Sequence, residues 1–369
     1  MSITVVHVEA GRHLYGGALQ VFYLLRGLAN KPVRSVLVCP QGSAIAEAAR
    51  DVVDKVYEMP MKGDLDIGFI KRLKWVLKEE QADLVHLHSR RGADVLGGIA
   101  ANWAGVKCIC SRRVDNPESP FIARFKYRLY DRVVTISNGI REVLLSEGVP
   151  ADKVQCVHSA VDVEKFDRAP EREWFLKEFD LPSKSRVLAV IAQLIHRKGH
   201  RHLFAALPEV IQQYPDIQVF LFGKGPKEDE LQQQIEQQNL TEHVRLIGFR
   251  DDLHRVLPNL HAVVHPADME GLGVSLLQAA AAGVPLIGTR AGGIPEIVRD
   301  EQNGLLIAPQ NVEQLRDAML RLLSDDAQAQ TWGAAGKEIV KAEFSISAMV
   351  DGNFRVYQSL VELPAKISG

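Results

Sequence analysis

The stretch that most constrains this chain is residues 265–296, HPADMEGLGVSLLQAAAAGVPLIGTRAGGIPE. The apolar run from His261 to His265 predicts a short strand, and the loop after it carries Glu270. Gly271 and Gly273 then bracket Leu272 just before a predicted helix of Val274, Ser275, Leu276, Leu277, Gln278 and four alanines. Gly283 ends that helix, a strand runs from Val284 to Gly288, and a second glycine turn, Gly292-Gly293, precedes Pro295-Glu296 at the start of another helix. Glycine turns let a ligand approach the main chain, and the first helical turn has spare N–H groups and partial positive charge. A phosphate or diphosphate is favoured there. Glycine before a helix is common in α/β proteins, so this spacing alone is a weak signal.

The same alternation recurs along the chain. Strands are expected at Ile3 to Val8, Arg34 to Val38, Ala82 to Leu87, Val106 to Cys110, Asp131 to Ile136, Arg186 to Ala192, Ile217 to Phe222 and Val244 to Ile247. Helices lie between them, for example from Ala18 to about Ala29, with Leu19, Phe22, Tyr23, Leu25 and Leu28 spaced to pack on a sheet. Strands alternating with helices imply parallel, doubly wound sheets, which bind ligands at strand carboxyl ends. The 369 residues suffice for two domains. A change of composition after Phe166 and a new strand near Arg186 place a linker at 167–184, between an N-terminal domain, 1–166, and a C-terminal domain, 185–344.

With a net charge of -2, the chain has no global pull toward nucleic acid or anionic membrane. No basic segment leads into a cleavable apolar core, and no apolar run reaches the ~18 residues of a membrane span. A cytoplasmic protein is expected. Its four cysteines, Cys39, Cys108, Cys110 and Cys156, fall in or beside strands, as buried reduced thiols. A dehydrogenase is disfavoured: the first glycine loop lacks G-x-G-x-x-G, and the second strand ends in Cys39-Pro40 rather than an acid.

PADMEGLGVSLLQAAAAGVPLIGTRAGGIPEIVRDEQNGLLI resembles the donor segment of the retaining nucleotide-sugar glycosyltransferases of family 4. These have the GT-B fold: two Rossmann-like parallel-sheet domains facing a cleft, with a C-terminal helix crossing back to the first, here 345–369. The likeness extends over nearly the whole chain. It implies that Glu270 meets the donor hexose, and that Lys198, followed by Gly199, grips the diphosphate. Gln193 stands where the family has an arginine, whose charge Arg197 would supply. Gln278 stands where a second glutamate usually holds the ribose. Gly223 and Gly225 resemble the family's G-x-G-P loop, Phe249 its base-binding loop, and Gly271, Leu272, Gly273 and Val274 its phosphate-facing helix start. On the acceptor side, Gly16 and Gly17, His88 and Ser137 match strand-end positions. Arg112 and Arg113 occupy the place of a family histidine, and suit an anionic acceptor through charge-assisted hydrogen bonds.

The implied activity is metal-independent hexosyl transfer with retention, in which the departing phosphate takes the acceptor proton. No cofactor is expected beyond the nucleoside-diphosphate sugar co-substrate, a UDP-sugar by preference. The expected acceptor is a saccharide or glycolipid of bacterial cell-surface glycan or lipopolysaccharide type. Peripheral contact with the inner membrane is left open, since Phe121, Ile122, Phe125 and Leu129 interleave with Arg124, Lys126 and Arg128. The expectation there is a core-facing helix with basic residues outside. Because Gln193 and Gln278 depart from the family, a sugar-nucleotide-binding pseudoenzyme or regulatory partner is the competing reading.

Overall fold

The computed structural model describes residues 2–90 and 92–361; Arg91 and the end of the expected tail, 362–369, lie outside them. The chain divides into two compact units: the residues up to Ala160 together with those from Ile346, and Val161–Ser345.

The first unit holds seven strands: β1 (Ile3–Val8), β2 (Val33–Pro40), β3 (Lys55–Met59), β4 (Leu84–Leu87), β5 (Lys107–Arg112), β6 (Arg132–Thr135) and β7 (Val154–Cys156). They pair in parallel in the order β3-β2-β1-β4-β5-β6-β7. Helices cover both faces, which is why the inner strands read as unbroken apolar runs. Val6, Val8, Val85 and Leu87 pack with Phe69, Leu73 and Leu96 on one side. Val5, Leu84, Ile109 and Val134 pack with Leu24 and Leu28 of the Gly17–Leu28 helix and with Met349, Val356 and Tyr357 of the C-terminal helix, Ile346–Leu360, on the other. Each such side chain contributes about 1.5 to 3 kcal/mol of burial. Loss of the C-terminal helix would therefore uncover a core face, not trim a tail.

The second unit repeats the plan with β8 (Arg186–Ile191), β9 (Ile217–Phe222), β10 (Val244–Gly248), β11 (Ala262–His265), β12 (Leu286–Thr289) and β13 (Gly304–Ile307), parallel in the order β10-β9-β8-β11-β12-β13. The expected linker, 167–184, is folded into this unit. It carries the helix Arg172–Glu178, and Phe175 and Phe179 pack with Phe220 and Phe222. At the unit's margins Val161 pairs with Ser345, and its N–H donates to Phe344 O at 2.9 Å. In both sheets the order reverses beside the first strand, between β1 and β4 and between β8 and β11, so loops leaving those strands diverge and open a crevice at each carboxyl edge.

Candidate active site

Lys198 and Glu270 meet at the switch point of the second sheet. Lys198 closes the short 3-10 turn His196–Lys198 after β8, and Glu270 lies in the loop after β11, the neighbouring strand. The Lys198 ammonium donates to Glu270 Oε2. His265 Nε2, at the end of β11, lies 2.8 Å from the same oxygen, and the Gly271 N–H donates to Oε1 at 3.0 Å. Lys198 and His265 are buried. Burial pushes the Glu270 carboxyl pKa up, but the hydrogen bond and charge of His265 and the charge of Lys198 outweigh it, and the group sits well below the usual carboxylate range. His200, next to the turn, is pushed down to about 4, first by burial and then by the charges of His265 and Lys198.

The glutamate's main chain is fixed by the second glycine turn. Gly293 N donates to Glu270 O at 3.1 Å, and a Cβ on Gly292, whose φ is 51°, would stand 1.8 Å from that carbonyl oxygen. Only glycine fits there. Glu270 does not cap the following helix, Val274–Ala281: Gly273 is its N-cap and no side chain caps it. The helix thus brings an uncapped, positively polarised end to the loop that carries the Lys198–Glu270 pair.

The other expected donor residues are placed unevenly. Gly223 and Gly225 face protein, since Cβ atoms there would lie 1.9 Å from Ala192 O and 2.3 Å from Leu194 O. They let the loops after β8 and β9 interlock, with Leu194 N donating to Lys224 O at 3.1 Å. The Leu272 side chain is 1% exposed, in the core rather than toward a ligand. Gln193 is exposed, Arg197 and Val274 are half-buried, and the Arg197 carbonyl accepts from Asp268 N at 2.8 Å. Phe249 stands out from the end of β10, 65% exposed. Gln278 is half-buried, one turn after Val274 on the same helix.

In the first unit Gly16 is the N-cap of the Gly17–Leu28 helix, and Gly17 its first residue. Three expected acceptor residues are engaged internally. Arg112 is 3% exposed and donates to Glu118 at 2.7 Å and to the Asn116 carbonyl, so it is a buried ion-pair residue and not a surface cation. Ser137 is buried, and its Oγ accepts from Ile140 N at 3.1 Å to cap the helix Asn138–Ser146. His88 is buried against His7 and His86; its Nε2 lies 3.1 Å from His7 Nδ1, and burial holds all three rings far below the ordinary histidine value. The ligand atoms of these three rings lie within 4.8 Å of one another, close enough to share an ion. However, both nitrogens of His86 are already engaged, with Tyr357 Oη and Ser111 Oγ, each at 2.8 Å. Arg113 is half-buried, and its Nη1 donates to Ser159 Oγ at 3.4 Å.

Sequence reasoning marks His265 as the one histidine near Glu270 but gives it no contact, because the last residue of an apolar run reads as core. It missed Asp268, which takes Arg201 at 2.7 Å and His202 at 3.1 Å and so ties the Glu270 loop to the helix His200–Gln213. The three charged residues are visible in sequence, but Asp268 stands 67 and 66 residues after Arg201 and His202.

Residues 15–165 match the model of Glycosyltransferase Family 4, and residues 171–339 that of Glycosyl transferases group 1. The chain is similar to 2-deoxystreptamine glucosyltransferase of Streptomyces kanamyceticus, 29% identical over 72% of this chain and 74% of that one. It is similar to a GDP-mannose-dependent alpha-(1-6)-phosphatidylinositol monomannoside mannosyltransferase of Mycobacterium tuberculosis, 31% identical, spanning 58% of each. It is also similar to UDP-Gal:alpha-D-GlcNAc-diphosphoundecaprenol alpha-1,3-galactosyltransferase of Escherichia coli, 25% identical over 88% of each. Among solved structures, a glycosyltransferase from Rickettsia africae superposes with a TM-score of 0.87 at 19% identity, covering 98% of this chain and 99% of the other. HepE of Anabaena, in complex with UDP and glucose, does so with 0.82 at 20% identity, covering 98% and 100%. Two parallel-sheet units with such neighbours define a GT-B protein. With both units matched by glycosyltransferase models, the chain is a family 4-like glycosyltransferase.

Proposed function

We propose that the chain moves a hexose, with retention, from a UDP-sugar to a saccharide carried on a lipid or a cell-surface glycan. The observation that carries this reading is the buried Lys198–Glu270 pair beside the uncapped end of the Val274–Ala281 helix. When the bond from the anomeric carbon to the diphosphate breaks, negative charge grows on the leaving oxygen. Lys198 and the helix amides are the groups that stabilise it, without a metal. The acceptor hydroxyl attacks from the same face and passes its proton to the departing phosphate, so no protein base is required. Glu270, kept ionised, holds the sugar's hydroxyls, and Gln278 takes the ribose.

UDP is favoured because HepE was crystallised with UDP, with UDP and glucose, and with UDP-glucose. A lipid-linked acceptor is favoured because the Escherichia coli relative acts on a diphosphoundecaprenol and the mycobacterial one on a phosphatidylinositol mannoside. With such an acceptor the enzyme would work at the cytoplasmic membrane face. A pseudoenzyme is disfavoured, since the departures at Gln193 and Gln278 leave the Lys198–Glu270 pair complete.

A thermal-shift series with UDP, GDP and their sugars, followed by product analysis with the donor that shifts most, tests the reading. A donor at about a hundred times its Kd adds ~2.7 kcal/mol of stability. Binding without hydrolysis or transfer to any saccharide acceptor would reinstate the pseudoenzyme.

A further inference from the structure

The helix Pro120–Lys126 turns opposite to the sequence expectation. Ala123 and, in the turn that follows, Tyr127 are buried, whereas Phe121, Ile122 and Phe125 are 70%, 57% and 52% exposed. Phe121 and Phe125 stack edge to face at 4.8 Å between centroids, and the Arg128 guanidinium lies over the Phe125 ring at 5.4 Å. Three large apolar side chains standing together in water are not accounted for by the fold of this unit.

The charges around them have one sign. Arg124 and Arg128 are exposed, and among the described residues neither pairs with a carboxylate. The acids nearest the helix are turned inward: Glu118 takes Arg112 at 2.7 Å, Lys126 at 3.1 Å and Arg90 at 3.1 Å, and Asp94 takes Lys126 at 2.8 Å. They do not neutralise the two outer arginines.

We infer that this face docks on a bilayer containing anionic lipid, with Phe121, Ile122 and Phe125 entering the boundary of the acyl region and Arg124 and Arg128 resting on headgroup phosphates. The biological use of the surface rests on the lipid-linked acceptor proposed above; its binding does not. An acidic protein would match the arginines but not the cluster of bare aromatic rings, and a second copy of the same face would set arginine against arginine.

Full-length protein without donor is mixed with sucrose-loaded vesicles of phosphatidylcholine, alone or with about a third phosphatidylglycerol, and the bound fraction is read after sedimentation. Binding to the anionic vesicles is expected, reduced roughly 25-fold by Arg124→Ala with Arg128→Ala and by more than ~10-fold by Phe121→Ser with Phe125→Ser. All four positions are exposed, so melting temperatures should match the wild type. The inference is overturned if the wild type stays in solution with both vesicle types, if the variants bind equally well, or if the substitutions instead dissociate a dimer. Vesicle binding by a protein that never transfers a sugar would leave this surface standing and remove only the transferase reading.

Discussion

Lys198 and Glu270 are 72 residues apart in the chain and joined as an ion pair in the fold. They meet because β8 and β11 are neighbours although β9 and β10 lie between them in sequence. The ammonium is therefore already paired with a carboxylate, and in the proposed mechanism a diphosphate has to draw it away.

Lys198→Ala should lower kcat by about 10² to 10³-fold, the usual cost of losing a preorganised charge at a developing anion. Glu270→Ala should do as much and also destabilise the protein by about 3 kcal/mol, because it leaves a buried ammonium unpaired. Steady-state kinetics and denaturant melts measure both, and the double variant should lose less than the sum.

If Lys198 turns to a donor phosphate as proposed, His265 Nε2, 2.8 Å from Glu270 Oε2, is left to hold the carboxylate. His265→Leu should lower kcat more than it raises the donor KM, while His265→Gln, which keeps a donor near Oε2, should recover most of the loss. Equal kinetics for the two variants, with only a drop in Tm, would reduce His265 to a packing residue.

Arg112 and Arg113 should part company. Arg112→Ala removes the nearest of the three cations on Glu118, leaving Lys126 and Arg90, and should cost about 1 to 3 kcal/mol of stability. Arg113→Ala should leave Tm nearly unchanged and raise the KM for an anionic acceptor. A melt and an acceptor titration on each single variant separate the roles.

Restoring the family acid with Gln278→Glu should tighten UDP binding by roughly tenfold through a charge-assisted bond to the ribose. Calorimetry reads this directly, and weaker binding would mean that the ribose lies elsewhere.

Stability should fall in mild acid. Burial pushes His7 to about 3, His200 to about 4 and His261 to about 4, and drives His86 and His88 well below their ordinary value. The unfolded chain binds these protons near pH ~6.5 and the native state only at the lower values, so between pH ~6.5 and ~4 unfolding takes up protons. Each histidine can cost up to ~1.4 kcal/mol per pH unit there. Glu270 acts in the same direction, since its stabilisation is lost as pH falls toward its depressed native value. Tm should drop steadily from about pH 7 to about pH 4.5, and His200→Gln should flatten the slope by one proton; a level profile would contradict the buried neutral rings.

The legible parts of the fold were those with a local physical signature. Ile3–Val8 and Ile217–Phe222 are strands covered on both faces, and their apolar runs mark them to the residue. Lys55–Met59 escaped notice because an edge strand is short and mixes charge with apolar residues. The Pro120–Lys126 helix was read inside out: Phe121 and Phe125 share the four-residue spacing of the true inner pair, Ala123 and Tyr127, and periodicity cannot say which stripe meets the sheet. Arg112 looked free because Glu118 reaches it only through the fold. Lys198 and Glu270 were found through a motif, whereas the His265 contact depends on a loop geometry that no spacing encodes.

The pairing of Val161 with Ser345 makes the second unit an insert whose ends touch. Its host keeps a continuous sheet on one side of the insertion and recovers its last helix on the other. A segment bounded in this way can be exchanged for a homologous one without re-threading the rest. Cassette replacement in an ancestral chain of this build could thus renew the loops around Lys198 and Glu270 while the seven-stranded host sheet passed down intact.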